Sequence, residues 1–381
     1  MGSKRSQSAI RNLRLSNRSL RPPTCGTGTT TDRSKLQWQK DNLTGQVTAF
    51  GYDAGGRLLT VTQSGGVTNN TYTYSYDADG NRKTAVVTGS NPATQSLTFN
   101  PANQITTTGY RYDGAGNLTT TPTATYTYNA AEQMTQAVVG GVTSTYTYAG
   151  ASQSQVLSET RGGSSPITTK LVYGRTDANG QPEIEQYSIN GSRAYVFDDP
   201  TTGQPLGIVT SADQACMLVF DGTDNPVGLL TNSATVSFAY TYDPWGVQTL
   251  TAGGGGNGAA QNPYAFHAGI KDPGSGLIKF GQRWYNPTTG TWTQQDTLDS
   301  PLDPANANRY AYAGDDPING QDPTGQDCRA ARQVADAAIV LGGIATFAAP
   351  ALGPAAPIVA AGGAGAVIGG GIGLFIVDSV C

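Results

Sequence analysis

The chain has a single histidine, His267, and only four cysteines, Cys25, Cys216, Cys328 and Cys381, all far apart. A zinc centre or redox dithiol needs several such ligands at close spacing, so no metal and no cofactor is expected. His267 lies in Tyr-Ala-Phe-His-Ala with no Gly-x-Ser-x-Gly elbow, and reads as a packed core residue rather than a member of a serine triad. Charge is scarce as well: 13% of residues are charged and the net charge is −4, which excludes whole-chain steering toward nucleic acid. Acids are absent before Asp32, whereas Lys4, Arg5, Arg11, Arg14, Arg18 and Arg21 are basic. That arm could bind phosphates, but it has no interleaved aromatics and no helix-turn-helix pattern, so specific nucleic-acid binding is not expected. It also lacks the apolar run of a secretory signal. Residues 1–44 read as a basic, disordered leader.

Glycine, threonine and tyrosine are abundant instead, and they repeat. Gly-Tyr52-Asp53-Ala-Gly-Gly-Arg57, Ser-Tyr76-Asp77-Ala-Asp-Gly-Asn81 and Arg-Tyr112-Asp113-Gly-Ala-Gly-Asn117 are copies of one unit. Looser copies occur at Tyr128-Asn129, Tyr148-Ala149, Phe220-Asp221 and Tyr242-Asp243. Self-similarity of this kind signals units that bury a face only by stacking on their neighbours. Thr71-Tyr-Thr-Tyr-Ser-Tyr76 alternates hydroxyl and aromatic side chains, the period of a strand packed on one side. Thr125-Tyr-Thr-Tyr128, Thr145-Tyr-Thr-Tyr148 and Phe238-Ala-Tyr-Thr-Tyr242 do the same. The Asp after each Tyr can bond its own turn, and a Gly three residues later tolerates positive φ. Each unit is therefore a β-hairpin. The fold class is mainly β, and residues 45–325 are expected to form one continuous curved antiparallel sheet with Tyr76, Tyr112 and Tyr242 packed along it.

Toward the C-terminus, Arg283-Trp-Tyr-Asn-Pro-Thr-Thr-Gly290 leads through Gln294-Gln-Asp296 to Asn308-Arg-Tyr-Ala-Tyr-Ala-Gly314. Asp316-Pro and Gln321-Asp-Pro-Thr-Gly-Gln326 follow. This stretch resembles the core domain that ends RHS (YD) repeat shells, proteins related to toxin-complex C components, polymorphic toxins and teneurins. The resemblance implies a β-hairpin shell, here a partial cocoon because the repeats are few. It also implies a division into YD repeats over 45–239, an RHS repeat-associated core over 240–326 and a variable segment over 327–381.

The same resemblance implies chemistry in the core. In the family, self-cleavage just after the last Asp-Pro-x-Gly-x motif is attributed to core aspartates and an arginine. Carried over position by position, these are Arg283, Asp296 and Asp322, with the scissile bond after Gln326. Two neighbouring carboxylates suit acid–base hydrolysis of a peptide, and a tethered bond supplies proximity without a substrate pocket. Thr297 stands where the family usually has Pro, Gln326 where it usually has Leu, and Asn286 where it usually has Asp. The aspartates also read as ordinary turn residues.

Beyond Gln326 the composition changes. Residues 334–377 are nearly free of charge, and Gly365, Gly369 and Gly373 recur every four residues. An apolar helical hairpin turning at Pro350 to Pro357, able to cross a membrane, is the leading expectation for this tail, the other being a soluble Ala/Gly-rich helical pair sequestered by the shell or a truncated effector fragment. Expected partners are the tail itself as cargo, a membrane through 334–377, and an immunity protein or delivery machinery. The expected location is cell-surface, secreted or membrane-associated. The alternative is a non-enzymatic cell-surface repeat protein for adhesion or recognition, anchored by the tail.

Overall fold

The computed structural model describes residues 35–41, 45–177, 180–200, 203–233, 236–253, 258–297 and 307–326, with the backbone of 329–330. The tail 334–377, with its expected helical hairpin, lies outside the described residues. Among those described, no helix is long and apolar enough to cross a membrane.

Antiparallel hairpins dominate, and strands pair with their sequence neighbours. Six strands from Trp38–Lys40 to Ala93–Ser96 form one sheet, and fourteen from Arg111–Tyr112 to Gln248–Gly253 form another. The sheet thus starts inside the segment 1–44 expected to be a leader, since Trp38–Lys40 pairs with Val47–Tyr52.

The single continuous sheet expected from the repeats is not observed. It breaks between residues 97 and 110, although a copy of the turn is present there. Asn100 accepts the backbone N–H groups of Ala102 and Gln104 at 3.0 Å each, but its arms form only a minimal hairpin, with Thr106 donating to Thr98 at 2.7 Å. Gly109 then takes φ 96° with Pro122 packed where its side chain would lie, and the chain turns away before a ladder can extend.

Two devices recur along the repeats. The Asp (or Asn) carboxyl or amide oxygen accepts the backbone N–H groups two and four residues on: Asp53 from Gly55 and Arg57, Asp77 from Asp79 and Asn81, Asp113 from Ala115 and Asn117, all at 2.8–3.0 Å. Asn129, Asp221 and Asp243 repeat the pattern. The Tyr hydroxyl reaches back to the preceding hairpin: Tyr76 donates to the Leu58 carbonyl at 2.6 Å, Tyr148 to Met134 at 2.9 Å and Tyr242 to Pro226 at 3.1 Å. Along the strands, Tyr72 and Tyr74 are buried while the residues between them are not, as the alternation requires.

After residue 253 the chain leaves the sheet. A four-stranded sheet from Ile270–Lys271 to Thr291–Trp292 and two irregular loops pack against the repeat turns. Phe266, Phe280, Tyr285, Trp292 and Tyr312 form the centre of this segment. Polar contacts tie it to successive repeats: Asn319 to Tyr52 at 2.8 Å, Asn308 to Asn81 at 2.9 Å, Tyr310 to the Gly116 carbonyl at 2.6 Å and Gln294 to the Glu132 carbonyl at 2.7 Å. Buried Arg82 stacks over Trp245 at 4.4 Å and donates to the Thr288 carbonyl. A second seam is acidic. Tyr146 and Ser275 donate to Asp272, Ser144 donates to Glu159 at 2.9 Å, and the Glu159 and Asp272 carboxyls hydrogen-bond each other.

Candidate functional site

Arg283 lies on the strand Arg283–Asn286, with its guanidinium stacked over the Trp292 ring at 4.2 Å. Stacking on a buried ring and a position inside the four-stranded sheet fix the side chain, which is 4% exposed as a residue. Its Nη2 lies 2.7 Å from Asp296 Oδ2 and 3.0 Å from Asp322 Oδ2. Two carboxylate oxygens on one nitrogen are no more than about 6 Å apart. Nε also donates to the Gly325 carbonyl at 2.5 Å and Nη1 to the Arg309 carbonyl at 3.3 Å. The structure therefore brings together all three residues singled out from the sequence, across 39 residues of chain.

The two aspartates differ in setting. Asp322 is fully buried, and its Oδ1 accepts the Thr324 hydroxyl at 3.0 Å and the Gln326 N–H at 3.2 Å. Asp296 keeps 18% of its side chain exposed, which leaves it within reach of water. Its backbone is locked to Arg309, with N–H to carbonyl at 3.0 Å and the Arg309 Nε to the Asp296 carbonyl at 2.9 Å.

The turn that ends at Gln326 is a copy of the repeat turn. Asp322 accepts the N–H four residues on, and Gly325 has φ 64°, as Gly56, Gly80 and Gly116 have positive φ in their repeats. A side chain at Gly325 would meet the Phe280 carbonyl at 2.4 Å and the Arg283 nitrogen at 2.8 Å, so the turn is pressed against the strand that carries Arg283. Gln282 N–H also donates to the Thr324 carbonyl at 2.9 Å. Sequence reasoning missed Thr324, Trp292 and Arg309. The shared Asp-x-x-Gly spacing was the signal for Thr324; nothing in the sequence indicated the other two.

A cavity of about 350 Å³ opens beside this turn, lined by Asp177, Glu183, Asp198, Lys279, Gln321 and Pro323 among others. Burial and the Glu183 charge push Asp198 up to about 7. Lys279 is buried, donates to the Gly281 carbonyl at 2.7 Å, and is pushed down by burial and the Arg283 charge. His267 stacks on Phe266 at 3.8 Å and its Nδ1 meets the Tyr312 hydroxyl at 2.7 Å. Burial pushes it down to about 3, so it is neutral at any ordinary pH. Among the described residues, no group of three or more His, Cys, Asp or Glu side chains converges as metal ligands. Asn286 bonds its own turn, its Oδ1 accepting the Thr288 N–H at 3.0 Å, as a turn residue would.

Stacked Tyr-Asp hairpins closed by an inward-packed core define a YD-repeat β-shell. The chain belongs to the teneurin YD-shell family, which it matches over residues 33–318. It is 26% identical over 258 residues to the tRNA3(Ser)-specific nuclease WapA of Bacillus spizizenii, covering 66% of this chain and 11% of that protein. It is 23% identical over 279 residues to Teneurin-3 of Danio rerio, covering 71% of this chain and 10% of that one. The chain thus spans about a tenth of the length of these relatives. Among solved structures, the TcdB2-TccC3-Cdc42 structure superposes with a TM-score of 0.59 at 16% identity, over 74% of this chain and 15% of that one. The Photorhabdus luminescens Tc holotoxin pore gives 0.60 at 16% identity, over 75% and 15%. These two likenesses concern the fold.

Proposed function

We propose that this chain is the repeat-and-core portion of a polymorphic-toxin-type protein whose core cuts its own backbone after Gln326. In this reading residues 45–239 are repeat wall, 240–326 are core, and the segment from 327 is the cargo that is presented and released. The observation that carries it is the convergence of Arg283, Asp296 and Asp322 on the last turn before residue 327. Kinship with nucleases named WapA, and a shared fold with toxin-complex shells, support the carrier role. Delivery machinery and an immunity protein are then the partners to look for.

The chemistry follows from the difference between the carboxylates. Asp322, buried and accepting the Thr324 hydroxyl and the Gln326 N–H, holds Arg283 and the turn in place. Asp296, within reach of solvent, takes a proton from water as the oxygen adds to the Gln326 carbonyl. It returns that proton to the Asp327 nitrogen as the C–N bond breaks, leaving a carboxyl at 326 and an amino terminus at 327. Arg283 holds both carboxylates in place and fixes the neighbouring Gly325 carbonyl.

The intact mass of the expressed full chain tests this. Two fragments with a new terminus at Asp327 are expected, and Asp296→Asn should leave a single full-length species. A wild type that stays whole would reduce the cluster to a structural turn. It would favour the second reading, a non-enzymatic cell-surface repeat protein, for which the teneurin relative speaks.

A further inference from the structure

Gln326, the residue before the proposed cut, and Thr297, the neighbour of Asp296, touch each other at the surface. Gln326 Nε2 donates to Thr297 Oγ1 at 3.3 Å. Both ends of that contact are anchored. The Gln326 N–H is held by Asp322 Oδ1 and by Thr324 Oγ1, at 3.2 Å each, which fixes where its side chain starts. Thr297 follows Asp296, whose N–H and carbonyl are both tied to Arg309.

We infer that Thr297 is a specificity-determining residue for the cut, reading an amide side chain at position 326. The inference rests on the self-cleavage reading above. The contact is exposed, so the hydroxyl pairs with a primary amide at 326 and, with a hydrocarbon there, turns to water and holds nothing. The contact also spans the site: it links the residue that carries the scissile carbonyl to the neighbour of the water-activating Asp296. Holding residue 326 against Thr297 therefore sets the distance between that carboxylate and the bond to be broken. Polar Thr297 and polar Gln326 form a matched pair that replaces an apolar anchor.

The test is a double-mutant cycle on the rate at which the fragment ending at 326 appears, followed by mass spectrometry of the full chain. Thr297→Val keeps the shape and removes the hydroxyl, and should slow the cut by about two- to threefold, the effect of one exposed hydrogen bond. Thr297→Ser should restore the rate. In a Gln326→Leu background, Thr297→Val should have no further effect. Independent effects that multiply, or no effect of Thr297→Val on the Gln326 chain, overturn the inference.

A second measurement keeps this apart from the fate of the cleavage reading. In an Asp296→Asn chain, which is intact on either account, hydrogen exchange of the 321–326 segment should rise equally for Thr297→Val, Gln326→Leu and the pair. Unchanged exchange in Thr297→Val overturns the inference whether or not the wild type cuts.

Discussion

The Arg283 guanidinium divides its donors between two carboxylates and two backbone carbonyls. A lysine keeps the charge but not the planar fork or the stacking on Trp292, so Arg283→Lys cannot remake these contacts together. Asp322 would then be buried without its main partner, and breaking such a pair costs about 3–5 kcal/mol. Thermal unfolding should report a loss of that order, together with loss of the fragment ending at 326. Asp296→Asn, at a partly exposed position, should abolish the cut at much smaller cost in stability. Equal losses for the two variants would mean that Asp296 is as structural as Asp322.

At the scale of the element, the repeat turn makes its own controls. Asn100 and Asn129 do with an amide oxygen what Asp113 does with a carboxylate. Asp113→Asn should therefore be tolerated, whereas Asp113→Ala leaves two turn N–H groups without their acceptor and should cost about 1–2 kcal/mol in denaturant unfolding. An equal cost for both would show that charge, not hydrogen bonding, holds the turn.

The last turn is less forgiving. Gly325→Ala puts a Cβ 2.4 Å from the Phe280 carbonyl at a positive φ, while nothing lies within 4 Å of a Cβ at Gly114. The first should cost more than about 1 kcal/mol and displace the turn from Arg283, and the second should stay within about 0.5 kcal/mol. Differential scanning of the two variants side by side checks both. These turns were legible from the sequence because an Asp-x-x-Gly segment closes on itself within five residues. The break at 97–110 was not, because it depends on Gly109 meeting Pro122.

Across the whole molecule, the seam between repeats and core holds a pH-dependent clasp. Burial, then the charge and hydrogen bond of Asp272, push Glu159 up to about 8, and burial pushes Asp315 up to about 8. Tyr146 and Tyr187 face the Glu159–Asp272 pair, Arg161 partly offsets it, and half-buried Lys271 and buried Lys279 line the same small space. An acid whose folded pKa is raised binds its proton more tightly in the folded state than in the unfolded one. Its contribution is complete below the unfolded carboxyl value and is lost as pH rises through about 8. Stability should therefore fall from about pH 5 to pH 8, less steeply below about 6.5, where His267, held neutral by burial, acts in the opposite direction. Lys271, pushed down to about 8 by burial, acts in the opposite direction above that pH, so the scan belongs below it. Glu159→Gln keeps a neutral partner for Asp272 and should flatten part of the slope in urea midpoints measured across this range. An unchanged slope would place the dependence on Asp315 and the other buried acids.

What the sequence determined by itself is everything local. Alternating Thr and Tyr require a strand with one packed face, and Asp with a Gly three residues on closes each strand pair into a hairpin. Repetition of that unit demands stacking, since no single hairpin can bury its tyrosines alone. Family resemblance added which residues to watch. Only the tertiary structure decided that the hairpins divide into two sheets, that the sheet starts as early as Trp38, and that Arg283 reaches Asp296 and Asp322 at once. It also decided that Thr297 meets Gln326 and that Glu159 meets Asp272. Those pairings join residues separated by 13 to 113 positions, where chain connectivity imposes no geometry. They exist because the core segment, once it leaves the sheet, has one way to bury its aromatic face against the row of repeat turns.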